Sequence, residues 1–134
     1  MKHLRTLILI GLISMNASAH EGHVHEPAVE APPHGGLLRD AAPFKSEIVL
    51  NGDHAKVYIY DRELKPVKLD KDSLKGELQF PKEKEKKPTL FKRNGDFYEA
   101  TLPGISKVHR FDMHLNIEVG GKKALADFGI DNVQ

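Results

Sequence analysis

The sequence predicts an all-β fold: an Ig-like antiparallel β-sandwich of about seven strands, preceded by a signal peptide and a disordered His/Pro-rich arm. Three observations lead there. Short apolar runs follow one another between Phe44 and Ile130, each ended by a glycine, proline or asparagine turn signal. Apolar and polar residues alternate at period two within those runs, which places them on opposite faces of a strand. No segment carries a sustained helical period, and many closely spaced short strands are the pattern of a sandwich.

The elements follow in chain order. FKSEIVL (44–50) and AKVYIYD (55–61) flank Asn51-Gly52, a pair suited to a tight hairpin turn because it tolerates positive φ. LKGELQF (74–80) is followed by the charged loop PKEKEKKP (81–88) and then by TLFKR. Asn94-Gly95 joins that strand to FYEATL (97–102), and HRFDMHLNIEV (109–119) turns at Gly120-Gly121 into KKALADFGI. In the longest run, Phe111, Met113, Leu115, Ile117 and Val119 share one face, and Asp112, His114, Asn116 and Glu118 share the other. The first face is core, together with Ile48, Leu50, Leu78, Phe80, Leu102 and Phe128. Val57 and Ile59 oppose Tyr58 and Tyr60, so that strand is either covered on both sides or presents tyrosines at a rim. PKEKEKKP, with alternating charge, reads as a solvated loop protecting a sheet edge.

Residues 1–19 have the layout of a secretory signal: Lys2 and Arg5, an apolar run from Leu7 to Ile13, then Ala17, Ser18 and Ala19 before the cut. The run is far shorter than the roughly 20 residues a spanning helix needs. An uncleaved anchor is the competing reading of the same segment. The division that follows is 1–19 signal peptide, 20–33 flexible arm and 34–134 sandwich domain, in a periplasmic or secreted protein with no stable membrane anchor after cleavage. Loss of Lys2 and Arg5 turns a formal charge of +1 into −1, a balance that does not suit nucleic acid. With no cysteine, the chain has no disulfides and no thiolate metal site, so metal ligands would be imidazole, carboxylate, thioether, backbone or the new terminal amine.

Four of the eight histidines, His20, His23, His25 and His34, lie in HEGHVHEPAVEAPPHGG (20–36), a stretch too rich in proline and glycine to fold by itself. Cleavage after Ala19 would leave His20 first, with its α-amine and imidazole in one chelate. Such a nitrogen pair suits Cu(II), and His23 and His25 can complete the site; Zn(II), Ni(II) and Co(II) are the other candidate ions. The competing reading is a solvated polar leader that happens to contain histidines. His34-Gly35-Gly36 reads either as a ligand joining arm to body or as a turn whose glycines serve conformation alone. Asp112 and His114, two apart on a polar strand face, can reach one ion but equally can face solvent. His109 has core parity near a strand end, and His54 lies in a turn facing water.

HExxH fails because Val24 stands where the second histidine is needed, and there is no G-x-S-x-G elbow or cysteine nucleophile. The chain is therefore not expected to be an enzyme. A copper oxidase of the N-terminal-histidine, polysaccharide-cleaving type shares only the first mature residue.

KPV (65–67), FYEATLPG (97–104) and the closing LNIEVGGKKALADFGI resemble small exported Ig-like modules of the YtkA-like and FixH type. PHGG (33–36) with the following YDRELKPV segment resembles the N-terminal part of CzcB/CusB-like periplasmic adaptors of heavy-metal efflux. The resemblance implies an Ig-like sandwich and a link to periplasmic metal handling, with an efflux or metal-transfer protein as partner. The expected function is a metal-binding carrier, buffer or efflux accessory. The alternative is an Ig-like interaction module whose histidines are incidental.

Overall fold

The computed structural model describes residues 30–132. The expected signal peptide and most of the expected arm lie outside them. Eight strands run β1 (Leu37–Ala41), β2 (Phe44–Asn51), β3 (His54–Tyr60), β4 (Ser73–Gln79), β5 (Lys87–Asn94), β6 (Phe97–Thr101), β7 (Arg110–Val119) and β8 (Lys122–Asp131). All neighbours are antiparallel, so the all-β class holds. They form one sheet in the order β1-β2-β3-β6-β5-β4-β7-β8, which curls until β1 lies beside β8. The 3-6-5-4 order at its centre is a Greek key: three hairpin-linked strands, with β3 reached by the long 61–72 connection.

Eight strands answer the expectation of about seven. The additional strand, β1, reads LLRDA and buries only Ala41, so no alternation marks it. Its geometry comes from pairing with β2, Leu37 opposite Ile48 through Ala41 opposite Phe44. The charged loop is also shorter than expected, because β5 begins at Lys87. Pro88 is tolerated there because β6 pairs only with Lys92 to Asn94, leaving no ladder bond on that side for the missing N–H. Two hairpin turns sit one residue later than the Asn-Gly reading placed them. Asn51 pairs with His54 and Asn94 with Phe97, so Gly52 and Gly95 are the first central residues, with φ of +60° and +63°.

The inner face carries the core. Ile48, Val57, Ile59, Phe91, Tyr98, Phe111, Met113, Leu115, Ile117 and Phe128 are buried, and the alternation read from β7 is the one observed. Leu50 and Phe80, also expected inside, are partly buried against it. Each large side chain removed from water in this way contributes about 1.5–3 kcal/mol, which offsets the entropy of ordering the chain. Ser46 shares this inner face, between Phe44 and Ile48, and its hydroxyl has no hydrogen-bond partner among the described residues. Replacing it with a small apolar group removes an unsatisfied buried polar atom. Ser46→Ala is expected to raise stability by about 1 kcal/mol, read as a higher urea midpoint. A lower midpoint would show that the hydroxyl is satisfied.

Asp53, in the β2–β3 turn, fastens the opposite end of the chain. Its carboxylate accepts the backbone N–H of Gly104 (3.1 Å) and of Ser106 (2.9 Å), and its carbonyl accepts Leu102 N–H at 2.7 Å. These bonds hold the 3-10 turn Ile105–Lys107 and bury Ile105. Hydrogen bonds from the Ser106 side chain and backbone and from Gly104 lower the Asp53 pKa from 3.8 to about 2. A folded-state value below the ordinary one means the contribution is complete above pH 3.8 and is lost as pH falls through about 2. Asp53→Ala should therefore lower the urea midpoint at neutral pH, with the gap to the parent closing toward pH 2. A gap independent of pH would remove the carboxylate's charge as its cause.

Candidate functional site

The site forms on the outer face of β2 and β3. Ile48 and Val57 are register partners on the inner face, which turns Glu47 and its partner Tyr58 outward, along with Lys45 and its partner Tyr60. An outward glutamate on a strand is ordinarily solvated. Glu47 is nevertheless 0 % exposed, and Tyr60 is equally buried, because residues 32–36 cross over them on the way into β1.

Covering a carboxylate is costly unless its lone pairs find donors. Glu47 finds three. Oε1 accepts His34 N–H at 3.0 Å and Gly36 N–H at 2.8 Å, while Oε2 accepts the Tyr60 hydroxyl at 2.7 Å. The His34 ring closes the arrangement, its Nδ1 lying 2.7 Å from Tyr60 Oη and 3.3 Å from Glu47 Oε2. Stacking on Tyr58, with centroids 3.7 Å apart and planes 9° from parallel, fixes the tilt of the imidazole. Tyr58 in turn packs against Phe97, over which Lys56 lies. Burial, then the hydrogen bond to Glu47, and then the Glu47 charge push the Tyr60 pKa up, so the phenol keeps its proton. Burial, and then the Glu47 charge, push the Tyr58 pKa the same way.

The glycines of the PHGG segment serve two different purposes. Gly35, at φ +73°, turns the chain and donates its N–H to Pro32 O at 3.1 Å. Gly36 lies against β2 with no room for a side chain: a Cβ there would meet Ile48 O at 2.3 Å and Val49 Cγ2 at 2.8 Å. The turn reading of His34-Gly35-Gly36 matches the structure, and the same turn fixes the imidazole at the surface. Glu30, at the start of the described chain, pairs with Lys45 beside Glu47 and ties down the segment that enters the turn.

The other expected ligands are placed as follows. His20, His23 and His25 lie outside the described residues. Asp112 and His114 do share the outer face of β7, both half-buried. The His114 ring, however, is held across the β7–β8 ladder by Asp127, Nδ1 to Oδ1 at 2.6 Å. Counting back from the Gly120-Gly121 turn pairs these two residues, so that contact had a readable signal. His54 pairs with Glu99 at 3.2 Å rather than only facing water. His109 is exposed just before β7, correcting its assignment to core parity. Among the described residues, no group of three or more histidine, cysteine, aspartate or glutamate side chains converges as a metal site would require.

Glu47 and Tyr60 were not singled out as site residues. Their signal was the hairpin register, which sets Glu47 beside Tyr58 and one polar step from Tyr60. What marks them out is the covering segment, and that comes from elsewhere in the chain. No protein-family model, curated protein or solved structure matches this chain. This is an all-β protein with a buried carboxylate–phenol–imidazole chain that ends at a surface histidine.

The two glycines give separate expectations under chemical denaturation. Gly35→Ala has open space around it and meets only the left-handed backbone cost, about 1 kcal/mol. Gly36→Ala must displace β2 backbone and disturb the Glu47 bond, and should lose about 2 kcal/mol or more. Equal losses would show that close approach does not select glycine at position 36.

Proposed function

We propose that this is an exported metal-binding protein of the periplasm or the secreted space. It acts as a carrier, buffer or accessory of heavy-metal efflux, taking Cu(II) in preference to Zn(II), Ni(II) or Co(II). The observation that carries the reading is the state of His34. Its ring is 45 % exposed, Nδ1 is committed to Tyr60 and Glu47, and Nε2 has no hydrogen-bond partner among the described residues. This imidazole stands where a segment with three more histidines enters the body.

At the point where the arm enters, the body offers the His34 imidazole, and the arm would supply the other ligands: the His20 amine and imidazole, with His23 and His25. His34 follows His25 by nine positions. That contour, about 30 Å when extended, allows the arm to fold back onto the ring. Nitrogen donors without thiolate suit Cu(II), and a chelate whose donors come from two separate parts of the chain suits exchange of the ion with a partner more than permanent retention. The likeness of PHGG and YDRELKPV to efflux adaptors supports the same assignment, with a periplasmic efflux or metal-transfer protein as the receiving partner.

The test is a Cu(II) titration of protein exported and processed by the cell, since a tag or starting methionine would block the terminal chelate. Wild type is expected to bind in stoichiometric amount. His34→Ala, and His20→Ala with His23→Ala, should each weaken binding at least tenfold. Absence of binding for every divalent ion would replace this reading with that of an interaction module.

A further inference from the structure

We infer that Glu47 and Tyr60 are positioning residues that hold His34 as its Nδ1–H tautomer, making Nε2 the body's ligand atom for a borderline divalent cation. The inference rests on the proposed function and adds which atom binds and what prepares it.

The argument is one of proton counting along a chain of short contacts. An ionised carboxylate only accepts, so the single Tyr60 proton lies on the 2.7 Å contact to Glu47 Oε2. The neighbouring 2.7 Å contact, between Tyr60 Oη and His34 Nδ1, must then take its proton from the ring. Glu47 Oε2, 3.3 Å from the same nitrogen, demands the same polarity. A neutral imidazole that is protonated at Nδ1 has its only in-plane lone pair at Nε2. Stacking on Tyr58 fixes the plane in which that lone pair points.

A histidine whose second nitrogen donates toward a carboxylate is the usual arrangement behind a metal ligand, because it sets the tautomer and raises the basicity of the coordinating nitrogen. Here the carboxylate acts through a phenol that burial keeps protonated.

The conservative variant Glu47→Gln reverses the chain. Its amide oxygen can still accept His34 and Gly36 N–H, but its amide nitrogen donates to Tyr60 Oη. The phenol proton then turns to His34 Nδ1, and the ring proton moves to Nε2, where it blocks coordination. The experiment is long-range ¹H–¹⁵N NMR of histidine-labelled, naturally processed protein, before and during titration with Zn(II). In the parent, His34 should show a protonated Nδ1 and an unprotonated Nε2, and Zn(II) should shift the Nε2 signal. Glu47→Gln should show the opposite tautomer and bind Zn(II) ten- to a hundredfold more weakly. Tyr60→Phe leaves the 3.3 Å Glu47 contact to hold the ring proton and should keep mainly the Nδ1–H tautomer, with an affinity between those of the parent and Glu47→Gln.

An Nε2–H tautomer in the parent overturns the inference, as does unchanged tautomer and affinity in both variants. So does a Zn(II) response at His20, His23 and His25 but not at His34, which would leave the proposed function standing. If no histidine responds to Zn(II) or Cu(II), both fall together.

Discussion

A carboxylate has been taken out of water on the side of a sheet that ordinarily faces it, and the outer half of this protein is arranged around that fact. Glu47 cannot be left uncompensated beneath residues 32–36, because an unpaired buried charge would cost more than one loop can supply. Its oxygens therefore dictate where the His34 and Gly36 amides lie, and they orient the Tyr60 hydroxyl. The entering chain is pinned by polar geometry rather than by apolar packing. Truncating any one partner would leave the others buried and unsatisfied, so the network acts as a unit.

The same device appears at the other end of the β2–β3 hairpin in a solvated form. Asp53 also collects two backbone N–H groups from a distant loop, but it stays in contact with water. The environments set the consequences. Donors around the half-buried Asp53 carboxylate lower its pKa, whereas burial first, and then the hydrogen bond to Glu47, raise that of the Tyr60 phenol. One hairpin thus organises the entry to the first strand at one position and the approach to β7 at another. Its two faces divide the labour: the inner face packs apolar core and the outer face carries polar chemistry.

The core was legible because burial on one face imposes a two-residue period that no loop sequence imitates over the length of β7. The strand that escaped notice, β1, is short and mostly exposed, so nothing in LLRDA distinguishes it from a connection until β2 pairs with it. The candidate site was half legible. His34 and its glycines stood out by composition and spacing, and Tyr58 and Tyr60 stood out as an aromatic face. Glu47 had the polar parity of a solvated residue and gave no sign of being covered. Asp112 and His114 stood two apart as a pair that could reach one ion or face solvent, and the ladder gives His114 a partner in Asp127.

Local pattern by itself determined the β class, the inner faces of the strands, the absence of thiol chemistry and the crowding of histidines ahead of the body. Each of these depends on residues near one another in the chain. Tertiary structure alone decided that the end strands of the sheet meet, that a segment thirteen residues upstream covers Glu47, and that one ring nitrogen of His34 is engaged while the other faces outward. Those outcomes depend on desolvation and on hydrogen-bond direction between distant segments. Neither exists until the chain has folded to bring the groups together.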